Sequence, residues 1–515
     1  MSRSPTDAGI TIALGAAVIG ALYLGLRPAF HVVLVSGLAV LLFALCLKPD
    51  VAQANMPRAA AVGLGMPLLA WALPHIGLLY AATGAITLSC APRLERIAPT
   101  YLFAFLLLPG LDTTFAIGSL KLFEFGVHDA LAFGGAAAIL LNGQRKPAPA
   151  RRLDLPVAAL LLVLAMALGR DTTITNLLRT LLNVLIDLAL PYYVVSRSVR
   201  TTADVQACML WLGCAGAILA AVLLYEVFKG WPMYNVLHDR YGVPALLLVK
   251  ARGGVLRAGG PFLEATSVAM MLTTCIMALW LSRPAFRSGL HHGALMVLLM
   301  AGMSAPQSRG AWIGLILGFA AGDLYRRRLT AFAHKLGPIL LIGGTLYAAA
   351  ALSPALSETL GLSGGSADTA DYRRQLLDRG LQEAAGSPLW GFSTAELNVR
   401  LADLRQGEGI IDYVNTYIWI LLISGVIGVC IFLYAFLFFL VALWRRRITA
   451  DPAERDTAAF VFTTLVIPME MLFFTSFGGR TTFIIFCLFG LGVAILRARP
   501  QARASLLRPA EAPAR

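Results

Sequence analysis

Apolar residues gather into runs that nearly fill the chain. They occupy residues 9–26, 30–47, 59–73, 76–90, 100–119, 127–142, 155–169, 176–195, 206–227, 263–281, 290–304, 310–324, 336–352, 413–441, 458–475 and 481–497. Each approaches the roughly 20 residues that an α-helix needs to cross a hydrocarbon core about 30 Å thick. Several are short, notably 59–73, 76–90, 290–304 and 310–324, so tilted, re-entrant or merged segments bring the total to about 12 to 16 spans. Long alternating strands are missing from the pattern, which argues against a β-barrel. The expected fold is all-α, a polytopic transmembrane helical bundle with one large periplasmic loop containing short helices. The first run has no clear small-residue cleavage site and more runs follow closely, so it reads as a retained helix.

Composition sharpens this picture. Of the 515 residues, 58% are hydrophobic and 14% charged, against about half and a quarter in a soluble domain. The net charge of +14 belongs to basic cytoplasmic loops before it belongs to nucleic acid. The seven cysteines, Cys46, Cys90, Cys208, Cys214, Cys275, Cys430 and Cys487, all lie in apolar runs without metal-ligand spacing. The seven histidines are scattered and form no HExxH. No metal and no cofactor is expected.

Basic clusters orient the chain. Arg93 and Arg96, Arg145 to Arg152, Arg197 and Arg200, Arg283 and Arg287, Arg326 to Lys335, Arg445 to Arg447 and the tail from Arg497 to Arg515 mark the links. Placing all of them in the cytoplasm puts both termini inside and leaves two large loops outside, at about 228–262 and 353–412. The second holds five basic and nine acidic residues, as suits an external loop. It also carries an amphipathic helix around Asp371–Ala385, with Leu376, Leu377 and Leu381 on one side. Three regions follow: N-terminal spans at 1–227, a core at 228–441, and C-terminal spans with a basic tail at 442–515.

The loop at 228–262 breaks the charge rule. It carries Lys229, Arg240, Lys250, Arg252 and Arg257 against the single acid Asp239. One account is a misplaced span. The other is an outward anion site, because arginine in fixed geometry suits phosphate or carboxylate. Arg257, just before the run at 263–281, and Arg309, just outside the run at 310–324, fall on the same face. An arginine at membrane depth is expensive and is usually kept for a partner, although a snorkelling side chain at a helix end is the ordinary alternative. Arg480 is a third arginine on that side, and Lys250, Arg252, Glu264 and Arg480 complete the substrate-binding candidates. Glu264 has an ordinary role open to it as the salt-bridge partner of a loop cation such as Arg257. Asp412 and Asn415 stand at the mouth of the run at 413–441, where they either orient a sugar hydroxyl or cap a helix.

In Ser308-Arg309-Gly310-Ala311-Trp312 the chain resembles the arginine motif of the O-antigen ligase and O-antigen polymerase superfamily. Arg257 with Gly260-Pro261 resembles that superfamily's earlier arginine segment. Pro388-Leu389-Trp390-Gly391 and Asp412-Tyr413-Val414-Asn415-Thr416-Tyr417, followed by Gly425-Val426-Ile427-Gly428, resemble its later elements. The resemblance covers about residues 240–440. It implies a metal-independent glycosyltransferase in the bacterial inner membrane, acting at the periplasmic face on glycans carried by a polyprenyl diphosphate. Arg257 and Arg309 would hold the diphosphate, with Asp412 and Asn415 as the other catalytic candidates. The implied partners are the lipid-linked oligosaccharide, the growing polysaccharide, membrane lipid, and a flippase with chain-length or export proteins; nucleic acid is not among them. Ligases of the family place a histidine before the late asparagine, where this chain has Val414. That departure favours a polymerase of exopolysaccharide or O-antigen over a ligase. A lipid-linked glycan transporter is the rival class; it predicts inverted repeats and mid-membrane charges, neither of which is evident.

Overall fold

The computed structural model describes residues 27–498 except 119, 143–150, 244–250, 253, 263, 354–356, 358–364, 407–408 and 449–451. The run at 9–26 and Lys250 lie outside the described residues. The first half contains α1 (Arg27–Cys46), α2 (Pro49–Ala72), α3 (Ile76–Leu88), α4 (Ile97–Leu107), strands β1 (Thr113–Ile117) and β2 (Leu120–Phe125), α5 (Val127–Leu141), α6 (Arg151–Leu168), α7 (Ile174–Asn183), α8 (Leu190–Ser198) and α9 (Thr202–Lys229). Then come α10 (Asn235–Tyr241), strands β3 (Ala251–Arg252) and β4 (Val255–Leu256), α11 (Ala265–Leu281), α12 (Gly289–Gly302), α13 (Arg309–Tyr325), α14 (Leu329–Leu352), α15 (Gly365–Ala384), α16 (Thr394–Arg400), α17 (Thr416–Arg446), α18 (Pro452–Met471) and α19 (Gly479–Arg497). Among the described residues, five helical stretches are long and apolar enough to cross a membrane: Ala29–Cys46, Ile174–Ser198, Thr202–Lys229, Thr416–Arg446 and Arg480–Arg497. Four shorter apolar helices accompany them. The protein is an all-α polytopic membrane protein.

α9 is the axis of the bundle. It packs against α1, α4, α11 and α12, and 83% of its apolar window is buried. A helix that is apolar on every side can be satisfied only by neighbours on every side. Its ends are set by sequence: Thr201 and Asp204 form a reciprocal capping box, and Gly230 closes the helix in the left-handed region (φ +60°).

α13 and α18 pack through a ladder of glycines. Gly310, Gly314, Gly318 and Gly322 recur every four residues and so share one helix face. Each leaves room for a neighbour that a methyl group would press: Phe474, Glu470, Ile467, and Trp280 with Thr463. Small residues at this spacing let helix backbones approach closely in lipid. At the far end of α13, the fully buried Asp323 accepts from Arg326 (3.1 Å) and Lys335 (2.5 Å).

The structure departs from the pattern in three places. The run at 100–119 is not one helix. Pro109 disfavours helical geometry at Leu108, and α4 ends at Leu107. The alternating β-branched and aromatic residues beyond it then form the antiparallel β1–β2 hairpin, with Phe115 stacked on Phe123 at 5.3 Å. The run at 176–195 contains a π-helical turn, Val184–Ala189, between α7 and α8. In the amphipathic helix α15, only Leu376 of the three leucines is buried; Leu377 and Leu381 are exposed. α15 packs on α17 through Leu376 and the bare backbone of Gly380, where a methyl group would press on Ile418.

Candidate functional site

The β3–β4 hairpin and the chain after it are fastened onto the turn that leads into α13. Arg252 donates from Nη1 to the Gln307 carbonyl (3.1 Å), Arg257 from Nε to the Pro306 carbonyl (3.3 Å), and the Ala258 N–H to the Ala305 carbonyl (3.2 Å). Gln307 adopts a left-handed φ of +52°. A residue with a Cβ holds that conformation at a cost on the order of 1 kcal/mol, so the contacts around it over-determine the turn. The turn delivers Arg309 to the first position of α13.

Two groups, one fully buried and one half-buried, hold the other side of the Arg257 segment. Glu226, fully buried in α9, accepts from the N–H groups of Gly260 and Met233 (both 2.9 Å). Arg480 donates to the carbonyls of Pro261 (2.7 Å) and Phe105, with its guanidinium 3.9 Å from the centre of the Phe262 ring. The sequence put Arg480 among the substrate-binding residues. The structure places it one step back, as a clamp on the Gly260–Phe262 turn.

Four arginines converge here. Arg373, from α15, joins Arg252, Arg257 and Arg309. It donates to the Phe474 carbonyl (3.3 Å), and the Phe474 ring lies against Gly310. Burial, then the neighbouring charges of Arg252, Arg373 and Arg309, bring the Arg257 guanidinium down to about 10. Burial and Arg309 lower Arg252; burial, Arg309 and Arg252 lower Arg373, with Asp412 opposing. The cluster is a concentrated positive site whose self-repulsion an anion would relieve. Arg257 is half-buried, whereas Arg309 is exposed. Arg309 therefore opens outward from the helix end rather than lying buried at depth, as the sequence had suggested.

Asp412 faces this cluster from the chain leading into α17. Its Oδ1 accepts from the Ser476 hydroxyl (2.9 Å), and its backbone N–H and carbonyl both meet the Tyr372 hydroxyl (3.1 and 3.0 Å). Tyr372 adjoins Arg373, so one short stretch of α15 positions both charges. Asn415 caps α17, its Oδ1 accepting from the N–H groups of Tyr417 (3.0 Å) and Ile418 (3.2 Å). Glu264 accepts from Ser267 (2.8 Å), which is linked to Thr481 (2.8 Å). Among the described residues it forms no ion pair, so the expected salt bridge to Arg257 is replaced by a hydroxyl contact.

The Pro388–Gly391 and Gly425–Gly428 motifs meet in space. α17 breaks at Gly425 (φ +64°), and the turn ending at Gly391 (φ +66°) wedges into the break. A methyl group on either glycine would press on the backbone of the other segment. Val426 donates to the Pro388 carbonyl (2.8 Å) and Phe392 to the Leu422 carbonyl (2.7 Å). Arg170, from the end of α6, donates to the carbonyls of Phe392 (2.9 Å) and Ile423. The wedge fixes the external segment to the outer part of α17, and so fixes Arg373 and Asp412 relative to each other.

Arg373, Glu226 and Arg170 escape a motif-based reading because their roles depend on the fold. Arg373 was legible only as one of five cations in an acidic loop. No curated protein is significantly similar to this chain. Residues 294–433 match the model of the O-antigen ligase family. The match contains Arg309, Arg373, Asp412, Asn415 and the wedge, while Arg252 and Arg257 lie before it and reach the site through the fold. That match, over about a quarter of the chain, supports the resemblance of this segment to the O-antigen ligase/polymerase superfamily.

Proposed function

We propose that this protein is a membrane glycosyltransferase that joins oligosaccharide repeats carried on polyprenyl diphosphate into exopolysaccharide or O-antigen, at the periplasmic face of a bacterial inner membrane. The observation that carries this reading is the convergence of Arg252, Arg257, Arg309 and Arg373 from three separate segments. Guanidinium forks match the oxygens of a diphosphate. Arg257 and Arg309 bind it, with Arg252 and Arg373 beside them. An acceptor hydroxyl attacks the anomeric carbon of the donor glycan. The bond from that carbon to the diphosphate oxygen breaks, and the arginines stabilise the charge that develops on the leaving group. The lipid tail keeps the donor in the membrane, so encounter becomes a matter of positioning. Asp412 and Asn415 fix the start of α17 beside the cluster. Val414 in place of the histidine of the ligases favours polymerisation over transfer to a lipid acceptor.

The test is reconstitution. Purified protein in lipid, given only a polyprenyl-diphosphate oligosaccharide, should produce a ladder of longer lipid-linked glycans. Transfer to a lipid acceptor without any ladder would make the protein a ligase. Movement of the lipid-linked glycan across the bilayer without bond formation would make it a transporter.

A further inference from the structure

The two carboxylates nearest the arginines each hold a structural contact. Asp412 is engaged by Ser476 and Glu264 by Ser267. A further carboxylate, with no hydrogen-bond partner, stands at the same end of the bundle. Glu470 lies in the last turn of α18, between Met469, whose carbonyl accepts from the Tyr417 hydroxyl (2.6 Å), and Leu472, whose carbonyl accepts from the Thr416 N–H (2.9 Å). It is thus fastened to the first turn of α17. Across from it runs α13. A methyl group on Gly314 would come within 2.9 Å of Glu470 Oε2, just as one on Gly310 would meet Phe474 at 3.3 Å. Gly310 and Gly314 are one helical turn apart, about 5–6 Å. Glu470 therefore sits one turn below the ring whose backbone carbonyl holds Arg373.

The side chain is half-buried, yet both carboxylate oxygens are shielded from solvent and neither has a hydrogen-bond partner. A shielded carboxylate with nothing to bind is expensive, and in a membrane bundle such a group is usually retained for a function. The ionisable groups that the surrounding helices bring to this end are Tyr417 on α17, Arg309 at the head of α13, Glu264 before α11, Arg480 at the head of α19 and Glu226 on α9. None of the five is free: Tyr417, Glu264, Arg480 and Glu226 are engaged by Met469, by Ser267, by the Pro261 and Phe105 carbonyls, and by Gly260 and Met233, and Arg309 has an interaction of its own.

We infer that Glu470 is the general base of the transfer, with Gly314 as the residue that makes room for its carboxylate. The inference rests on the glycosyltransferase reading above. As the acceptor oxygen bonds to the anomeric carbon and the polyprenyl diphosphate departs with the electron pair of the broken bond, the hydroxyl proton passes to Glu470. Release of that proton to water resets the site.

The decisive measurement is a pH–rate profile of the reconstituted enzyme with the polyprenyl-diphosphate oligosaccharide as donor. Glu470→Gln should lower kcat by about 100-fold or more, the scale of a lost general base, with the donor KM within about twofold and the acid limb gone. Should that variant fail to accumulate in the membrane, Glu470→Asp carries the test: turnover should fall about tenfold or more while the acid limb persists. Gly314→Ala, which displaces the carboxylate, should lower kcat with little change in KM. Near-wild-type turnover of Glu470→Gln with its acid limb intact overturns the inference. Arg309→Ala separates the layers, because it should weaken donor binding while Glu470→Gln should not. An inactive Arg309→Ala beside a fully active Glu470→Gln removes only the base. Full activity in both removes the glycosyltransferase site itself.

Discussion

Replacing Arg309 by alanine should lower activity without lowering stability. Arg309 occupies the first position of α13 and is exposed. A cation there faces the positive end of the helix dipole, which disfavours it by about 0.3–1 kcal/mol. The neighbouring charges of Arg252, Arg257 and Arg373 add repulsion of the same sign. These terms offset the contact that Arg309 makes within the fold, so without a bound anion Arg309→Ala should melt close to the wild-type temperature. Its loss to the transition state has the opposite sign. By analogy with a preorganised oxyanion donor the loss is about 2–4 kcal/mol, or roughly 30- to 1,000-fold in rate. Arg309→Lys should recover only part, since an ammonium lacks the planar fork. The assay pairs thermal unfolding in detergent, with and without inorganic diphosphate, with turnover in lipid. Diphosphate should raise the melting temperature of the wild type more than that of Arg309→Ala. A variant that unfolds early, or disappears from the membrane, would refute the reasoning and make Arg309 a packing residue.

Other expectations follow from the same geometry. The folded state depresses the Arg257 guanidinium to about 10, so the penalty on its charge is in force below that pH and fades as pH rises through it. At neutral pH relief of that penalty should offset the lost bond to the Pro306 carbonyl, so Arg257→Gln should melt close to wild type while losing donor binding, measured by lipid-diphosphate titration. Arg373→Gln should weaken donor binding about tenfold, less than Arg309→Ala, because part of its fork already serves the Phe474 carbonyl. Gly391→Ala and Gly425→Ala should each cost on the order of 1–3 kcal/mol in stability, from the left-handed backbone and the crowded junction. The double variant should cost less than the sum, because both changes break one contact. Cysteines introduced at Asn398 and at Thr330 should react with an impermeant reagent from opposite sides of the membrane; labelling from one side would reverse the topology on which the site depends.

Much of the helical framework was legible because lipid demands long apolar runs, and the described helices fall close to those runs. The exceptions have local causes. Pro109 ended one apolar stretch, and the alternation beyond it was too short to outweigh hydropathy. Arg257 and Arg309 were legible as cations on the wrong side of the charge rule. Arg373 was hidden among compensating charges on a helix whose orientation only packing against α17 sets. Glu470 was passed over, although it is a carboxylate within the apolar run at 458–475. Its relation to Gly314 could not be read, because it depends on how α13 and α18 pair. Asn415 illustrates the reverse: the cap was one of the two roles foreseen, and its carbonyl now serves it.

The glycine-lined helix α13 also sets a depth. Its 17 residues rise about 25 Å, less than a hydrocarbon core about 30 Å thick. One end carries the Arg326–Arg328 girdle, fastened by Asp323 and Asp456, and the other carries Arg309. If α13 crosses the bilayer, charges at both ends of so short a rod call for the two headgroup planes, and the bilayer would then thin around α13 or the rod would ride toward one leaflet. Thinning would sink the outer leaflet locally and leave a dimple beside Arg309. A polyprenyl chain arriving there would present its diphosphate level with the guanidinium groups. Bilayer thickness, varied through acyl chain length, would then be a control on turnover that acts without touching a side chain.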